Sequence, residues 1–444
     1  LPGPQGKASV HINTATVDEQ GQGLVTWLAS PRAEGWDGEA WCRSFRPDGS
    51  WMAPGKVTFA AGPGLSHSVN PGCGLTPVML AGSGEGLVVG MADRYRHQDQ
   101  ETGLSGSLLA AAPVRGGEPA DPAQPVGPLS PNLDGFKAVG NGRDTLLAAW
   151  LDWGWSSRPR LFASRYSVGR GWEPSPAELP VGMGVEHGKE VAAAVTTGGT
   201  SLLAWSERSR KSPSSSPTTR ILLASAKSGQ GWSKPRVMAE GSPDLGLGQV
   251  AVAAGPAETA ALAWTGVDPG SRAVSIQVAI YRPDRGWSEP RTATQVQGSV
   301  RDGTAMVFTG PEQLLLACLV TDKVNANAHE LRTVWCTGDR WSGPRTHGQA
   351  SEQPAFGLAS DGNGHALLAW REERRNQGAA MLAAIADAPG AWHGPALLST
   401  GPSGEGSVEH VSIAMGANGT ACALWDADRD GTRTGWAALF KPTW

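Results

Sequence analysis

Two tryptophan series run the length of the chain with a common spacing, and no other feature restricts its fold as much. The first closes an apolar segment, usually as Ala-Trp, at Trp27, Trp150, Trp205, Trp264, Trp370 and Trp425. The second stands in turns of the Gly-Trp-x-x-Pro kind, at Trp51, Trp172, Trp232, Trp287, Trp341, Trp392 and Trp444. Neighbours within a series lie roughly 50–60 residues apart, a period that marks a propeller or solenoid. The first series has double gaps from Trp27 to Trp150 and from Trp264 to Trp370, each hiding a degenerate unit, near Gly90 and at Cys318. The second has one, from Trp51 to Trp172. Both series therefore count eight units.

Blade five shows the unit most clearly: VAVAA (250–254), ETAALAW (258–264), SIQVAIYRP (275–283) and GWSEPRTAT (286–294). Four short segments with two-residue alternation, separated by turn residues, predict an antiparallel four-stranded sheet. Eight such sheets in tandem resolve their edges by radial packing. The fold class expected is all-β, a single eight-bladed β-propeller of four-stranded antiparallel blades. Its units fall at about 8–60, 75–127, 135–182, 190–241, 249–297, 303–349, 354–400 and 408–444. The last stops where its fourth strand should begin, so residues 1–7 are expected to complete it. The tryptophans are read as wedge fillers between blades.

Glycine (60) and proline (33) together form about a fifth of the chain, as many tight turns require. A net charge of −4 gives no basic stripe, so no nucleic-acid partner is expected. No apolar run reaches the ~18 residues of a transmembrane segment. The chain opens at Leu-Pro-Gly-Pro without an initiator Met, which suggests processing and export: a secreted, periplasmic or cell-surface protein. Among five scattered cysteines, Cys318 and Cys336 fall on adjacent strands of one unit, and a bond between them would agree with export.

The unit resembles blades of poorly characterised secreted and surface proteins of proteobacteria, which pair "GNA-AVW" with "GW-x-x-P/A" motifs. The matching stretches are Asp361-Gly-Asn-Gly-His-Ala-Leu-Leu-Ala-Trp370 and Gly286-Trp-Ser-Glu-Pro290. The resemblance covers nearly the whole chain and implies architecture without an activity. Sialidase Asp-boxes are not matched: Ser360-x-x-x-Gly364 lies on the first turn and lacks the Trp. The Thr-Gly-x-x-x-Trp docking pattern of quinone-dependent dehydrogenases is absent.

The links between strands one and two, and between three and four, are short and alike. The links on the other face are long and varied, and function is expected there. Three sets of residues on that face are candidates. Asp426-Ala-Asp428-Arg-Asp430-Gly431 opens like a calcium loop, with alternate carboxylates converging on one cation, although no Glu completes an EF-hand. Glu186-His187 and Glu409-His410 precede the innermost strand in two units, and Asp302 falls in a comparable link. Such residues could converge at the mouth of the channel for metal binding or proton transfer, or simply solvate it. Trp36, Trp153 and Trp155 lie in loops outside both series, with Arg208 and Arg374 nearby, and could stack on a sugar ring or anchor a protein. The leading expectation is a binding module for an extracellular glycan or surface protein. The alternative is a polysaccharide-acting hydrolase or lyase built on the His and carboxylate residues.

Overall fold

The computed structural model describes residues 9–30, 39–59, 65–69, 75–80, 85–96, 106–154, 159–182, 191–209, 218–242, 245–268, 270–322, 329–350, 355–374, 378–399, 408–429 and 432–441, with backbone alone for some strand-end positions. The chain is all-β, and its eight antiparallel sheets are the four-stranded blades of a β-propeller. No α-helix occurs among the described residues, and none of them forms a helix long and apolar enough to cross a membrane.

Blade five follows the sequence closely. Its strands are Gly248–Ala254, Ala260–Val267 and Val274–Arg282, with a fourth in two pieces, Gly286–Trp287 and Arg291–Val296. The break falls at Ser-Glu-Pro290. Proline has no N–H for the ladder and is tolerated only at such an edge. Blades three and six break their fourth strand in the same way, at Pro174–Pro176 and Pro344. The last blade has three described strands, Val408–Met415, Ala421–Arg429 and Thr432–Phe440. The expectation that residues 1–7 supply its fourth lies outside the described residues.

Two boundaries differ from the sequence reading. Blade two begins earlier than residue 75, because its first strand is in two parts, Leu65–Val69 and Leu75–Leu80, both paired to Glu85–Arg96. Blade six begins at Gly298 rather than 303.

The described chain forms two compact units, one of blades eight, one, two and three, the other of blades four to seven. In the first unit, the opening strand Ser9–Val17 lies against the last blade. Ala15 N donates to Ser412 Oγ (3.2 Å), Asn418 Nδ2 to Gln20 O (2.8 Å) and Arg433 N to Ser9 Oγ (3.3 Å). Val25 and Trp27 share one apolar cluster with Cys422 and Leu424. The first and last blades of the chain thus meet as neighbours.

Among the described residues, both tryptophan series pack against the apolar clusters of the blades, while Trp444 lies outside them. Trp27, Trp150, Trp205, Trp264, Trp370 and Trp425 are all buried, and Cys318 takes their place in blade six. The second series is half-buried: Trp287 packs on the cluster of blades four and five, and Trp341 on that of blades five and six. The proline motif also carries an arginine whose role the sequence did not suggest. Arg291 Nη1 donates to the Asp339 carbonyl of the next blade (2.8 Å), and Arg345 Nη1 to that of Gly390 (3.1 Å). Each is a clasp from one blade to the turn of the next.

In the second unit a further clasp joins the first turns of blades four and five. Glu258 accepts hydrogen bonds from Thr196 Oγ1 (2.6 Å), Thr197 Oγ1 (3.2 Å), Thr200 Oγ1 (3.2 Å) and the Gly198 amide. Partial burial opposes ionisation, but the bonds led by Thr196 outweigh it, and the carboxyl titrates below its ordinary range. The clasp therefore adds stability above the unfolded value, about pH 4.3, and loses it as pH falls through the lowered folded value. Melting temperature followed from pH 6 to pH 3 is expected to fall less steeply in Glu258→Gln than in the parent. Parallel profiles would remove this role.

The expected bond between Cys318 and Cys336 does not form. The register sets Cys318 opposite Arg332 and Cys336 opposite Leu314, so the sulfurs stand four residues apart along the pair of strands. Both are free, buried thiols. Burial pushes Cys318 up to about 12 and Cys336 up to about 11, which leaves them unreactive near neutrality. The argument for an oxidising compartment falls with the bond.

Candidate functional site

The long-link face is marked by a backbone feature that alternation alone does not reveal. The first strand skips register between Ile12 and Ala15 in blade one, Asp134 and Phe136 in blade three, and Gly248 and Ala251 in blade five. It does so again between Val300 and Thr304 in blade six and between Val408 and Val411 in blade eight. In blade two the strand is interrupted outright between Val69 and Leu75. Each irregularity stands opposite the second-strand Trp position or a residue beside it. Bulges of this kind recur next to functional sites because they re-aim a side chain. At the blade-five bulge Gln249 has φ 46°, and its amide donates to the Val300 carbonyl (3.0 Å) at the edge of the blade-six bulge.

The second strands end at the same face in buried polar residues. Asp152 accepts from Ser130 Oγ, from the Gly154 amide (2.7 Å) and from Arg160 Nη2 (2.6 Å). Glu207 accepts from the Gly182 amide (2.6 Å) and from the Trp205 indole (3.4 Å). Thr321 Oγ1 lies 2.8 Å from His329 Nδ1, both buried. Asp426 Oδ1 accepts from the His410 amide (3.1 Å). Each of these groups ties a strand end or a link to the sheet. Their burial is tolerable because the partners are in place.

The richest of these groups is in the first unit. The Asp426 carboxylate is fully buried, with Oδ2 3.4 Å from His410 Nδ1 and 4.0 Å from Arg433 Nη1. Arg433 Nη1 is also 2.8 Å from His11 Nδ1, a contact that requires a neutral His11 accepting at that nitrogen. The His410 side chain is more than half exposed. An exposed imidazole beside a buried carboxylate can accept and return a proton. The four residues come from the first strands of blades one and eight and from a hairpin of blade eight.

His410 is thus one sequence-predicted candidate that the structure brings into a group, on the bulge of its strand. The backbones of Glu409 and Asp302 lie on the bulges of blades eight and six, while their side chains lie outside the described residues. Glu186 and His187 lie outside altogether, as do Trp36 and Trp155. Trp153 is half-buried and follows Asp152 at the end of its strand, its amide donating to the Asn132 carbonyl (2.9 Å). Arg208 is exposed on the second strand of blade four, and Arg374 ends the second strand of blade seven. Of the calcium candidates, Asp426 and Asp428 belong to a regular strand whose register pairs them with Gly435 and Arg433. Asp430 lies outside the described residues. Among the described residues no group of three or more His, Cys, Asp or Glu is placed to hold a metal. His11 and Arg433 went unrecognised in the sequence: the register of the last hairpin brings Arg433 to Asp426, and contact of the first and last blades brings His11 to Arg433.

No protein-family model matches the sequence, and no curated protein does. Among solved structures the chain is similar to a protein of unknown function from Dyadobacter fermentans, with 10% identity over 98% of this chain and 95% of that one and a TM-score of 0.40. It is similar to polysaccharide lyase Uly1, with 11% identity over 87% and 92% of the two chains and a TM-score of 0.44. A third is the Penicillium chrysogenum α-L-arabinanase, with 12% identity over 70% and 94% and a TM-score of 0.38. At such identities no residue role passes from those proteins to this chain.

Proposed function

We propose that the chain is a carbohydrate-binding β-propeller that engages a glycan through its long-link face. The observation that carries this reading is the half-buried Trp153 directly after the Asp152–Arg160 pair. An aromatic face receives the C–H side of a sugar ring, and the half-exposed Arg160 guanidinium, anchored on the buried Asp152 carboxylate, offers donors to its hydroxyls. The Arg160 side chain is about half exposed and its guanidinium lies over Phe162 (5.1 Å to the centroid), which holds it for a ligand rather than leaving it free to swing. The buried polar strand ends supply a rigid base for the links, as a recognition surface on a scaffold needs.

Binding to an immobilised panel of neutral and acidic polysaccharides tests the proposal. The parent is expected to be retained by at least one, and Trp153→Ala to bind about tenfold more weakly with an unchanged melting temperature. Retention by none, or equal retention of the variant, would overturn it. A second reading is favoured by the His410–Asp426 contact: a polysaccharide hydrolase or lyase in which His410 moves the proton. Shortened products that disappear in His410→Ala would establish that reading, and intact polymer after prolonged incubation would end it.

A further inference from the structure

Between blades five and six, on the face of the short links, lies a cavity of about 270 Å³. Its apolar side is Ile280 together with the exposed part of Trp341, whose buried part packs on the cluster beneath. Its polar side holds Arg282, Arg285, Arg291, Glu289 and Asp339, and Arg285 turns to its neighbour Asp284 (Nε to Oδ2 3.3 Å). Arg282 is immobilised: Nη2 reaches Glu312 (2.8 Å) and the Gly338 carbonyl (3.0 Å), and Nη1 reaches Asp339 (3.2 Å). Arg291 commits Nη1 to the Asp339 carbonyl, and the rest of its guanidinium fork has no partner among the described residues. The Glu289 carboxylate likewise has none there.

The repeat separates what the scaffold needs from what it does not. The corresponding turns read Trp232-Ser-Lys-Pro-Arg236, Trp287-Ser-Glu-Pro-Arg291, Trp341-Ser-Gly-Pro-Arg345 and Trp392-His-Gly-Pro-Ala396. The arginine of two of them, Arg291 and Arg345, is the clasp between blades. The third position is Lys, Glu, Gly or Gly, so folding does not demand a carboxylate there. Glu289 is particular to this cavity.

From this juxtaposition we infer that the cavity is a second binding site, one that takes a single neutral pyranose residue. The uncommitted groups are one cation and one anion, so the ligand they match has no net charge. A guanidinium fork and a carboxylate flanking Pro290 can bracket two vicinal hydroxyls, one giving protons and the other receiving them. The indole of Trp341 and the side chain of Ile280 receive the C–H face of the ring. The volume is just under the ~300–1,000 Å³ range of sites for drug-sized ligands, which fits one ring rather than a chain of them. This site is independent of the one at Trp153.

Saturation-transfer NMR with the methyl glycosides of glucose, galactose, mannose, fucose and N-acetylglucosamine tests it. Transfer to the ring C–H protons of at least one glycoside is expected. Glu289→Lys, which installs the residue that blade four already carries, should keep the parent's melting temperature and weaken that glycoside about tenfold or more. Trp153→Ala should leave it unchanged. No transfer from any of the five would overturn the site, and so would undiminished transfer to Glu289→Lys. Loss in Trp153→Ala alone would move the ligand to the other face.

Discussion

Trp264→Ala is expected to lower the stability of blades four and five by about 3–5 kcal/mol, the range for deleting a large buried aromatic. Trp264 is 2% exposed and packs with Leu262, Ala279, Ala204, Ile221 and Leu223, which belong to both blades. The surroundings cannot collapse into the space, because the flanking strands are held by ladders on both sides and the nearest side chains are alanines and leucines already in contact. Trp287 packs on the same cluster but is half-buried, so Trp287→Ala should cost less than half as much. Denaturant midpoints of both variants, read beside the parent, check the order. An equal loss in the two would mean that the wedge, not the buried ring, sets stability.

The second large effect is an acid sensitivity centred on His347. Its ring meets Trp392 edge to face at 4.5 Å and Trp370 at 6.0 Å, with Nε2 2.8 Å from Thr333 Oγ1. Burial, with Arg345 adding charge repulsion, pushes its pKa down to about 4. The unfolded chain takes up this proton near pH 6.5, well before the folded one does. The contribution is therefore complete above about pH 6.5 and is lost progressively as pH falls toward 4. The full shift corresponds to about 3 kcal/mol, and water still reaching part of the ring reduces the expected loss to about 1–2 kcal/mol. His347→Gln keeps an acceptor for Thr333 and removes the titration. Its stability should change less than the parent's between pH 6.5 and 4, and equal slopes would reject the role of His347.

The blades were legible because one ring type at one position repeats through the chain, and Trp27 to Trp425 all occupy the buried site that their spacing implied. Strand register was not legible. Cys318 and Cys336 lie on the adjacent strands expected, yet the hairpin pairs Thr321 with His329 and so carries Cys318 to Arg332. Composition does not announce how many residues a link consumes, and the outcome at a sulfur turns on that number. The bulges were hidden for a related reason: two extra residues in Val300–Thr304, or one in Val408–Val411, look like imperfect alternation. His410 was visible as a candidate, whereas Arg433 depends on the register of its hairpin and His11 on contact between blades distant in sequence.

The bulged first strands also bear on how such a molecule can change. A regular strand fixes side-chain parity along its whole length, so inserting one residue anywhere inverts every side chain beyond it. In blades one, three, five, six and eight the count is already broken just short of the long links. A residue gained or lost above the break can be absorbed there by widening or closing the bulge, while Ala251–Ala254 or Val411–Met415 keep their partners below. The sheet and the links above it are thereby uncoupled in phase. Segments of the long-link face can be exchanged for others of different length, blade by blade, without renumbering the core that holds them.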